Sequence, residues 1–308
     1  MTVPSTWSVR RLAGALGAEI TGVDIRKVTA DEVAAIQHLL LEHHVIFLPE
    51  QGPTPEEHVG FARHFGHLEG HPNIGRGEGL PPEIFQLAAS QGGIADEWHT
   101  DMTFKESPPL MSILHLVTCP EFGGDTMWSN LHAAYDALTQ PMKDLCEGLT
   151  ALHDALPHNR PEQMAIHPVV RVHPETGRKA LYVNSHFTRR IVELSATESE
   201  LLLGHLTRFI SNERFTVRYQ WRPGSIGIWD NRCTAHYVLN DFEGERVIQR
   251  ATVMGDQVEG ATQPQWQPAV ASGRLSAMDR HDQQLFNFLR DTGRISPESI
   301  GYSDLVPK

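Results

Sequence analysis

The hydrophobic pattern of the first quarter of the chain alternates between helical and strand-like segments. Residues 31–43 carry apolar side chains at helical spacing, which predicts a helix. The apolar run Val-Ile-Phe-Leu at 45–48 predicts a short buried strand. Residues 54–57 read Thr-Pro-Glu-Glu, a helix start signal with a capping threonine and an early proline. The second helix is predicted to end near Phe65.

The rest of the chain is dominated by short strand-like runs. The glycine- and proline-rich stretch 67–93 predicts a long surface loop, and helices are predicted at about 131–145, 197–209 and 278–290. The predicted strands cover residues 111–117, 169–172, 180–183, 215–221, 225–229 and 247–254. Short strands at regular spacing with a few peripheral helices predict a mostly β fold, a two-sheet sandwich or jelly roll.

Composition excludes several classes of protein. The 308 residues are 40% hydrophobic and 21% charged, which is typical of a globular chain. Lys and Arg total 26 against 38 Asp and Glu, and the net charge of −12 repels phosphate backbones and anionic lipid. We therefore expect neither nucleic acid nor a membrane surface as a partner. No apolar run approaches the roughly 20 residues of a membrane span.

The cysteines and the N-terminus indicate a reducing compartment. Cys119, Cys146 and Cys233 are an odd, scattered set that suits neither a disulfide framework nor a paired-cysteine zinc site. The first residues lack the basic and apolar parts of a signal peptide. We expect a soluble, cytoplasmic protein, in which the unusual feature is the count of 18 histidines.

Two of these histidines form a candidate metal site with an aspartate. His99 and Asp101 are two residues apart and project to one face of an extended chain, and His236 follows a predicted strand far downstream. Two imidazoles and one carboxylate form the facial triad that binds Fe(II) and leaves positions open for other ligands. An isolated His-x-Asp pair specifies little, so the assignment depends on further residues.

An iron site with open positions can use a keto acid as the source of electrons. The protein then needs residues that bind the distal carboxylate of this cosubstrate. Thr126 follows a Gly-Gly-Asp sequence, and Arg246 and Arg250 lie 10 and 14 residues beyond His236. An arginine fork with a hydroxyl donor suits the distal carboxylate of such a cosubstrate. The alternative for either arginine alone is a solvated strand edge.

With these residues, the chain resembles the taurine dioxygenase and 2,4-D dioxygenase family of Fe(II)/2-oxoglutarate-dependent oxygenases. The matching stretches are Leu16–Asp24, Trp98–Asp101, Gly123–Thr126, His167–Arg171, Trp229–Arg232 with His236, and Arg250–Thr252. They occur in the family's order and cover roughly residues 8–256. The resemblance implies a double-stranded β-helix (jelly-roll) domain over 1–256, followed by a C-terminal extension over 257–308 with a linker and a helix.

The resemblance also implies roles for individual residues. His99, Asp101 and His236 would bind Fe(II), which uses 2-oxoglutarate as cosubstrate and O2. Thr126 and Arg246 would hold the distal carboxylate of 2-oxoglutarate, and Arg250 would meet the anionic group of the substrate. The two arginine roles stay interchangeable here, because the segment between His236 and Arg246 is one residue shorter than in the taurine enzyme.

The substrate is expected to be a small organic anion. His71, followed by proline, matches a sulfonate-binding histidine of the family, and Phe187 matches an aromatic residue near the substrate. The polar side chains that surround the taurine amine are replaced by Ile74 and by Ile94-Ala95, and a family aromatic is replaced by Ala155. This favours an alkyl sulfonate or alkyl sulfate ester, which hydroxylation would convert to an aldehyde with release of sulfite or sulfate.

The sequence is also compatible with two alternative functions. One keeps the enzyme class and changes the substrate to an aryloxyalkanoate or another carboxylate. The other is a non-catalytic jelly-roll metal-binding protein. The resemblance further implies a homo-oligomer, either a dimer or a tetramer.

Overall fold

Strands outnumber helices in the described part of the chain, which comprises residues 3–92, 95–272 and 280–296 of a computed structural model. The strands are β1 (Ser8–Arg11), β2 (Ala18–Thr21), β3 (Val45–Leu48), β4 (Leu68–Glu69), β5 (Ile84–Ala88), β6 (Pro109–Thr118), β7 (Thr126–Asn130), β8 (Thr150–Ala155), β9 (Arg160–Pro168), β10 (Val170–Val172), β11 (Lys179–Leu181), β12 (Thr188–Ile191), β13 (Thr216–Tyr219), β14 (Ile226–Asp230), β15 (Thr234–Val238) and β16 (Val247–Met254). The helices are α1 (Ala30–His43), α2 (Pro55–Ala62), α3 (Leu131–Asp136), α4 (Gln140–Glu147), α5 (Ala196–Ile210) and α6 (Arg280–Asp291).

The strands form one large sheet and three small ones. The large sheet has the order β1-β2-β3-β14-β6-β16-β4, and β5 also pairs with β16. Its pairs are antiparallel except for β2 beside β3. The small sheets are β13-β7-β15, β12-β8-β9 and the hairpin β10-β11. The prediction of a mostly β fold with a few helices is confirmed.

The apolar run of β3 explains how the layers are held together. All four side chains of β3 are buried, because alternate residues face opposite sides of the large sheet. Ile46 and Leu48 pack in the cluster that includes α1. Val45 and Phe47 pack on the other side, where the Phe47 ring lies 5.1 Å from the ring of Trp128 on β7. This aromatic layer joins the large sheet to β13-β7-β15 and forms the floor of the site described below.

Two of the predicted segments are wrong in part. The predicted loop over 67–93 contains β4 and β5, since Ile84–Ala88 has a strand-like sequence that the surrounding glycines and prolines obscured. The predicted helix over 131–145 is two helices, because the ring of Pro141 cannot continue the helix that ends at Asp136. The helix predicted over 197–209 is present as α5, which begins at Ala196 after a capping box formed by Ser195 and Glu198.

The last described helix packs against β8-β9-β12. Leu285 and Phe286 of α6 share an apolar cluster with Leu152 of β8, and Nε of Arg190 donates to Asp282 at 2.8 Å. The helix predicted over 278–290 is confirmed from residue 280 onward, and 278 and 279 lie outside the described residues. No helix in the described ranges is long and apolar enough to cross a membrane.

Candidate functional site

Backbone pairing brings His99 and His236 side by side. His99 forms an isolated antiparallel bridge with His236 of β15, in which each amide donates to the other residue's carbonyl, at 3.0 and 2.7 Å. Paired residues of this kind project their side chains to the same face. The two imidazole rings consequently lie 4.0 Å apart between their centroids.

Asp101 completes the group from the following turn. Met102 has a positive φ of 47°, which is strained for a residue with a side chain and turns the chain sharply after Asp101. Oδ1 of Asp101 lies 3.9 Å from Nε2 of His99 and 3.8 Å from Nε2 of His236. One ligand atom from each residue lies within 4.8 Å of the others, and all three residues are buried. The three predicted metal ligands therefore converge on one point.

A chain of hydrogen bonds orients the carboxylate of Asp101. Oδ2 accepts a hydrogen bond from Oγ of Ser112 on β6 at 2.7 Å, and that hydroxyl accepts from Nδ2 of Asn231 at 3.0 Å. Oδ1 of Asn231 accepts from the indole of Trp229 at 2.9 Å. Ser112 lies on β6, Trp229 lies on the paired strand β14, and Asn231 directly follows β14. The large sheet therefore fixes the direction of the carboxylate.

The protonation states suit cation binding. Burial lowers the pKa of His99 to about 4 and the pKa of His236 well below its usual value, so both imidazoles are neutral at pH 7. Nδ1 of His99 lies 2.7 Å from the Glu97 carbonyl and must donate to it, which leaves a lone pair on Nε2. Burial alone would raise the pKa of Asp101, but Arg250 and the two histidines lower it overall, and Asp101 is an anion.

Arg250 lies beside the group on β16. Its Nη1 donates to Oδ1 of Asp101 at 2.7 Å, and its guanidinium carbon lies 4.5 Å from the ring centre of Phe85. Nε of Arg250 is buried with no hydrogen-bond partner among the described residues. The arginine thus neutralises the aspartate and keeps a donor for another group.

Thr126 and Arg246 lie side by side. Nη2 of Arg246 lies 3.3 Å from Oγ1 of Thr126, and Nε donates to the Gly124 carbonyl at 3.0 Å. The Thr126 hydroxyl also accepts from the indole of Trp221 at 2.8 Å, so its own proton is available to a ligand. Burial lowers the pKa of Arg246 to about 10. In the described part of the chain, no carboxylate lies within 4 Å of Arg246, so this buried cation has no ion-pair partner.

A small cavity lies between this pair and His236. It is lined by polar groups at both ends and by apolar side chains between them: Thr126, Arg246, Trp128, Trp229, His236 and Arg250 are among its walls. Arg246 and Arg250 are four residues apart on one extended segment and therefore face the same side. Arg246, Arg250 and His236 thus border one small cavity of about 30 Å³.

His71 and Phe187 lie on another side of the group. Nδ1 of His71 accepts from the amides of Asn73 and Ile74, at 3.1 and 3.0 Å, so its proton is on Nε2. Burial lowers the pKa of His71 to about 3, with Arg250 adding to the effect, and the ring is a neutral donor. The Phe187 ring lies 6.3 Å from that of His99.

One side of the Phe187 ring is apolar, and the rings of His158 and His186 lie on other sides of it. Phe187 packs with Met102, Phe104 and Ala155 in one buried cluster. Ala155 is fully buried there, at the position where the resemblance led us to expect an aromatic residue. Ile74 is partly buried against another apolar cluster, and Ile94 lies outside the described residues.

Sequence reasoning missed several groups of the site. Ser112 is the polar residue in the apolar run of β6, a signal that could have marked it. His158 and His186 extend a series of rings from His71 to His99: His71–His158 is 5.1 Å, His158–His186 is 6.2 Å and His186–His99 is 5.5 Å. Nothing in their spacing along the sequence indicates this contact.

The fold and the site together define a candidate mononuclear non-haem metal enzyme with a separate anion-binding arginine. Residues 8–252 match the model of the taurine catabolism dioxygenase TauD, TfdA family, and the chain belongs to that family. It is 38% identical to the alkylsulfatase of Acinetobacter baylyi over 278 residues, which are 82% of this chain and 86% of the relative. It is 37% identical to an alpha-ketoglutarate-dependent sulfate ester dioxygenase of Pseudomonas putida over 275 residues, 80% of this chain and 89% of the relative.

A more distant relative acts on a carboxylate. The alpha-ketoglutarate-dependent 2,4-dichlorophenoxyacetate dioxygenase of Cupriavidus pinatubonensis is 30% identical over 274 residues, 78% of this chain and 95% of the relative. Among solved structures, a taurine dioxygenase from Burkholderia xenovorans has a TM-score of 0.76 at 39% identity, covering 83% of this chain and 93% of that one. The complex of AAD-2 with Mn(II) and N-oxalylglycine has a TM-score of 0.73 at 27% identity, covering 83% and 100%.

Proposed function

We propose that the protein is an Fe(II)- and 2-oxoglutarate-dependent dioxygenase that hydroxylates an alkyl sulfate ester or alkyl sulfonate. The observation that carries the proposal is the buried Arg246, which lacks a carboxylate partner in the described part of the chain and lies beside Thr126 at one end of a cavity. The other end of that cavity reaches His236, a member of the histidine–aspartate group. A buried arginine without a counter-charge is costly unless an anion balances it.

His99, Asp101 and His236 would hold the iron. Their donor set of two imidazoles and one carboxylate fits Fe(II), and Nε2 of His236, 3.8 Å from Oδ1 of Asp101, is placed to face the ion. When bound, the ferrous ion with 2-oxoglutarate and O2 supplies an oxidation that yields succinate, CO2 and a hydroxylated substrate. AAD-2 was crystallised with Mn(II) and N-oxalylglycine, a divalent metal ion and a small dicarboxylate, which supports a site for Fe(II) and the dicarboxylate 2-oxoglutarate here.

Thr126 and Arg246 would bind the distal carboxylate of 2-oxoglutarate. The guanidinium supplies charge and paired donors, and the Thr126 hydroxyl donates its free proton. Both groups are buried, so water competes little for the carboxylate and the interaction is strong. The apolar walls formed by Trp128 and Trp229 suit the methylene groups of the cosubstrate.

Arg250 and His71 would bind the anionic group of the substrate. Arg250 has a buried Nε without a described partner, and His71 presents a neutral Nε2 donor whose tautomer two backbone amides fix. A neutral imidazole donates without adding charge, so the anion is balanced by Arg250 alone. Phe187 and Ala155 would contact the alkyl chain, and their burial keeps water from the reacting carbon.

The products follow from the position that is hydroxylated. A hydroxyl group placed on the carbon that bears the sulfate-ester oxygen gives a species that breaks its C–O bond to sulfate. The hydroxyl loses its proton, an aldehyde forms, and sulfate leaves with the bonding electrons. With a sulfonate the C–S bond breaks in the same way and sulfite leaves.

Product analysis tests the proposal. Purified protein with Fe(II), 2-oxoglutarate and O2 should release succinate together with sulfate or sulfite and an aldehyde from a series of alkyl sulfate esters and sulfonates. His71→Ala should raise the KM for the sulfur anion and leave the KM for 2-oxoglutarate unchanged. A panel that yields neither sulfate nor sulfite, yet turns over aryloxyacetates, would favour the carboxylate alternative that the 2,4-dichlorophenoxyacetate relative supports.

We further propose a jelly-roll arrangement of the sheets in a domain over 1–256, with 257–308 as an extension that packs on it through α6. The aromatic layer between the large sheet and β13-β7-β15, and the α6 cluster with β8, support this division.

A cytoplasmic location is supported by three cysteines that are all free thiols. A dimer or tetramer is supported by Leu201 of α5, which is 71% exposed beside an apolar groove, and sedimentation of the purified protein tests it.

A further inference from the structure

A second cluster of metal-binding side chains lies outside the site described above. His44 caps the end of α1, His132 lies in α3, and Cys233 lies in the turn before β15. One ligand atom from each lies within 4.8 Å of the others, and all three residues are buried. We propose that His44, His132 and Cys233 form a second metal site, with a donor set suited to Zn²⁺.

The distance between the ligand atoms of His44 and Cys233 is compatible with a shared zinc ion. Nδ1 of His44 lies 3.6 Å from Sγ of Cys233. Tetrahedral zinc, with bonds of about 2.3 Å to sulfur and about 2.0 Å to nitrogen, places those two atoms roughly 3.6 Å apart. The sulfur and the nitrogen already have the separation that the ion requires.

His132 is oriented in the manner of a metal ligand. Its Nδ1 lies 2.8 Å from the Lys179 carbonyl and must donate to it, so its lone pair is on Nε2. Ligating histidines usually donate their second ring nitrogen to a carbonyl or carboxylate in this way. The hydrogen bond fixes both the tautomer and the direction of the ring.

The neighbouring His173 and Asp230 are not available as ligands. Nδ1 of His173 accepts from the amides of Glu175 and Thr176, and its Nε2 donates to Asp230 at 3.0 Å. Both carboxylate oxygens of Asp230 also accept from Arg232. The site therefore has three protein ligands, His44, His132 and Cys233.

The backbone conformation of His44 indicates that its side chain has a role of its own. His44 has φ of 64°, the left-handed conformation in which glycine ends a helix at least cost. A side chain kept there carries a conformational penalty, and this one brings Nδ1 next to the thiol. One thiolate with two imidazoles selects Zn²⁺ over harder ions such as Mg²⁺, and binding releases the thiol proton.

Cobalt spectroscopy separates the two sites. Since His99, Asp101 and His236 include no sulfur, only the second site can give a sulfur-to-cobalt charge-transfer band in the near ultraviolet. Co²⁺ added anaerobically to the metal-free full-length protein should give this band in the wild type and in His99→Ala. It should disappear in Cys233→Ala and in His132→Ala. Cys146→Ala is the matched control, because Cys146 is buried in the same apolar cluster as Cys233 and should leave the band unchanged.

Zinc content provides the second readout. After loading with Zn²⁺ and removal of the excess, the wild type should hold two equivalents per chain, and His99→Ala and Cys233→Ala should each hold one. His132→Ala keeps the thiol and serves where Cys233→Ala fails to fold, as judged by circular dichroism. The absence of a sulfur-to-cobalt band in the wild type, or a band that persists in both His132→Ala and Cys233→Ala, would overturn the proposal. A single zinc equivalent that His99→Ala removes would overturn it as well.

Discussion

Arg250 and Asp101 share a buried hydrogen bond at the centre of the site, with Nη1 2.7 Å from Oδ1. The same Oδ1 lies within 4 Å of Nε2 of both His99 and His236. A metal ion bound by the two imidazoles would also bind this oxygen, and the positive charge of Arg250 would then be available to balance an anionic substrate. We therefore expect metal binding and substrate binding to reinforce each other through Arg250.

Replacing Arg250 with glutamine tests this coupling. Arg250→Gln should raise the KM for the substrate anion by roughly 10- to 100-fold, the effect of losing a charged hydrogen bond. Fe(II) affinity should stay the same or rise, because a positive charge beside Asp101 is removed. Steady-state kinetics and anaerobic Fe(II) titration measure the two effects. Arg218→Gln, on the half-exposed surface of β13, is the control, and a loss of Fe(II) affinity with unchanged KM would contradict the coupling.

Ser112 orients the metal ligand without touching the metal. Ser112→Ala removes the hydrogen bond to Oδ2 of Asp101 and should weaken Fe(II) binding by roughly 10- to 100-fold, as the loss of such supporting groups does elsewhere. The KM for 2-oxoglutarate measured at saturating iron should change little. Ser129→Ala is the matched control, since that buried hydroxyl donates to the Ile210 carbonyl instead. Equal Fe(II) affinity in the two variants would show that Ser112 has no positioning role.

We assign different ligands to Arg246, which directly precedes β16, and to Arg250, which lies on β16. Arg246→Met and Thr126→Val should each raise the KM for 2-oxoglutarate by roughly tenfold or more, because each removes a donor to the distal carboxylate. The KM for the sulfur anion should stay nearly constant. Initial rates with each substrate varied in turn provide the measurement. If Arg250→Gln raises the KM for 2-oxoglutarate and Arg246→Met does not, the two roles are exchanged.

Buried histidines should make the fold sensitive to acid. Burial lowers the pKa of His58 from 6.5 to about 4, and its Nδ1 has no partner among the described residues. Since the folded pKa lies below the unfolded one, the free energy of unfolding is highest above pH 6.5 and falls between pH 6.5 and 4. At 1.4 kcal/mol per pH unit, His58 alone contributes about 3 kcal/mol to this fall.

His58→Gln measures that contribution. Urea unfolding at pH 7 and pH 4 should show a smaller loss of stability in this variant than in the wild type, whatever the stability at pH 7. His38→Gln replaces an exposed histidine of α1 and should leave the difference between the two pH values unchanged. The same loss in His58→Gln as in the wild type would rule out His58 as a source of acid sensitivity.

Local signals in the sequence predicted those parts of the fold that short segments determine. The capping box of Thr54 with Glu57 and the buried run of β3 are both present as predicted. β5 was missed because its five residues lie within a glycine- and proline-rich stretch, and its place depends on pairing with β16, which is distant in the chain. The break before Pro141 could have been predicted, because proline interrupts helices. The apolar periodicity of residues 131–145 favoured a single helix instead.

The site shows the same division between local and long-range information. His99, Asp101 and His236 could be proposed as a group from the residue types and the predicted strands, and the family resemblance supplied the roles of Thr126 and Arg246. Contacts that cross the sheets, such as Ser112 with Asp101 and His158 with His186, join residues whose spacing carries no signal. These contacts depend on strand order, which the sequence pattern alone does not determine.

Anaerobic binding of Fe(II) and 2-oxoglutarate tests the central claim most directly. Wild-type protein with both components should develop a visible charge-transfer band, because 2-oxoglutarate chelates an iron ion that retains open positions. His99→Ala and His236→Ala should lose the band together with succinate production. A band and turnover that survive His99→Ala would show that iron is bound elsewhere and would contradict the assignment of His99, Asp101 and His236.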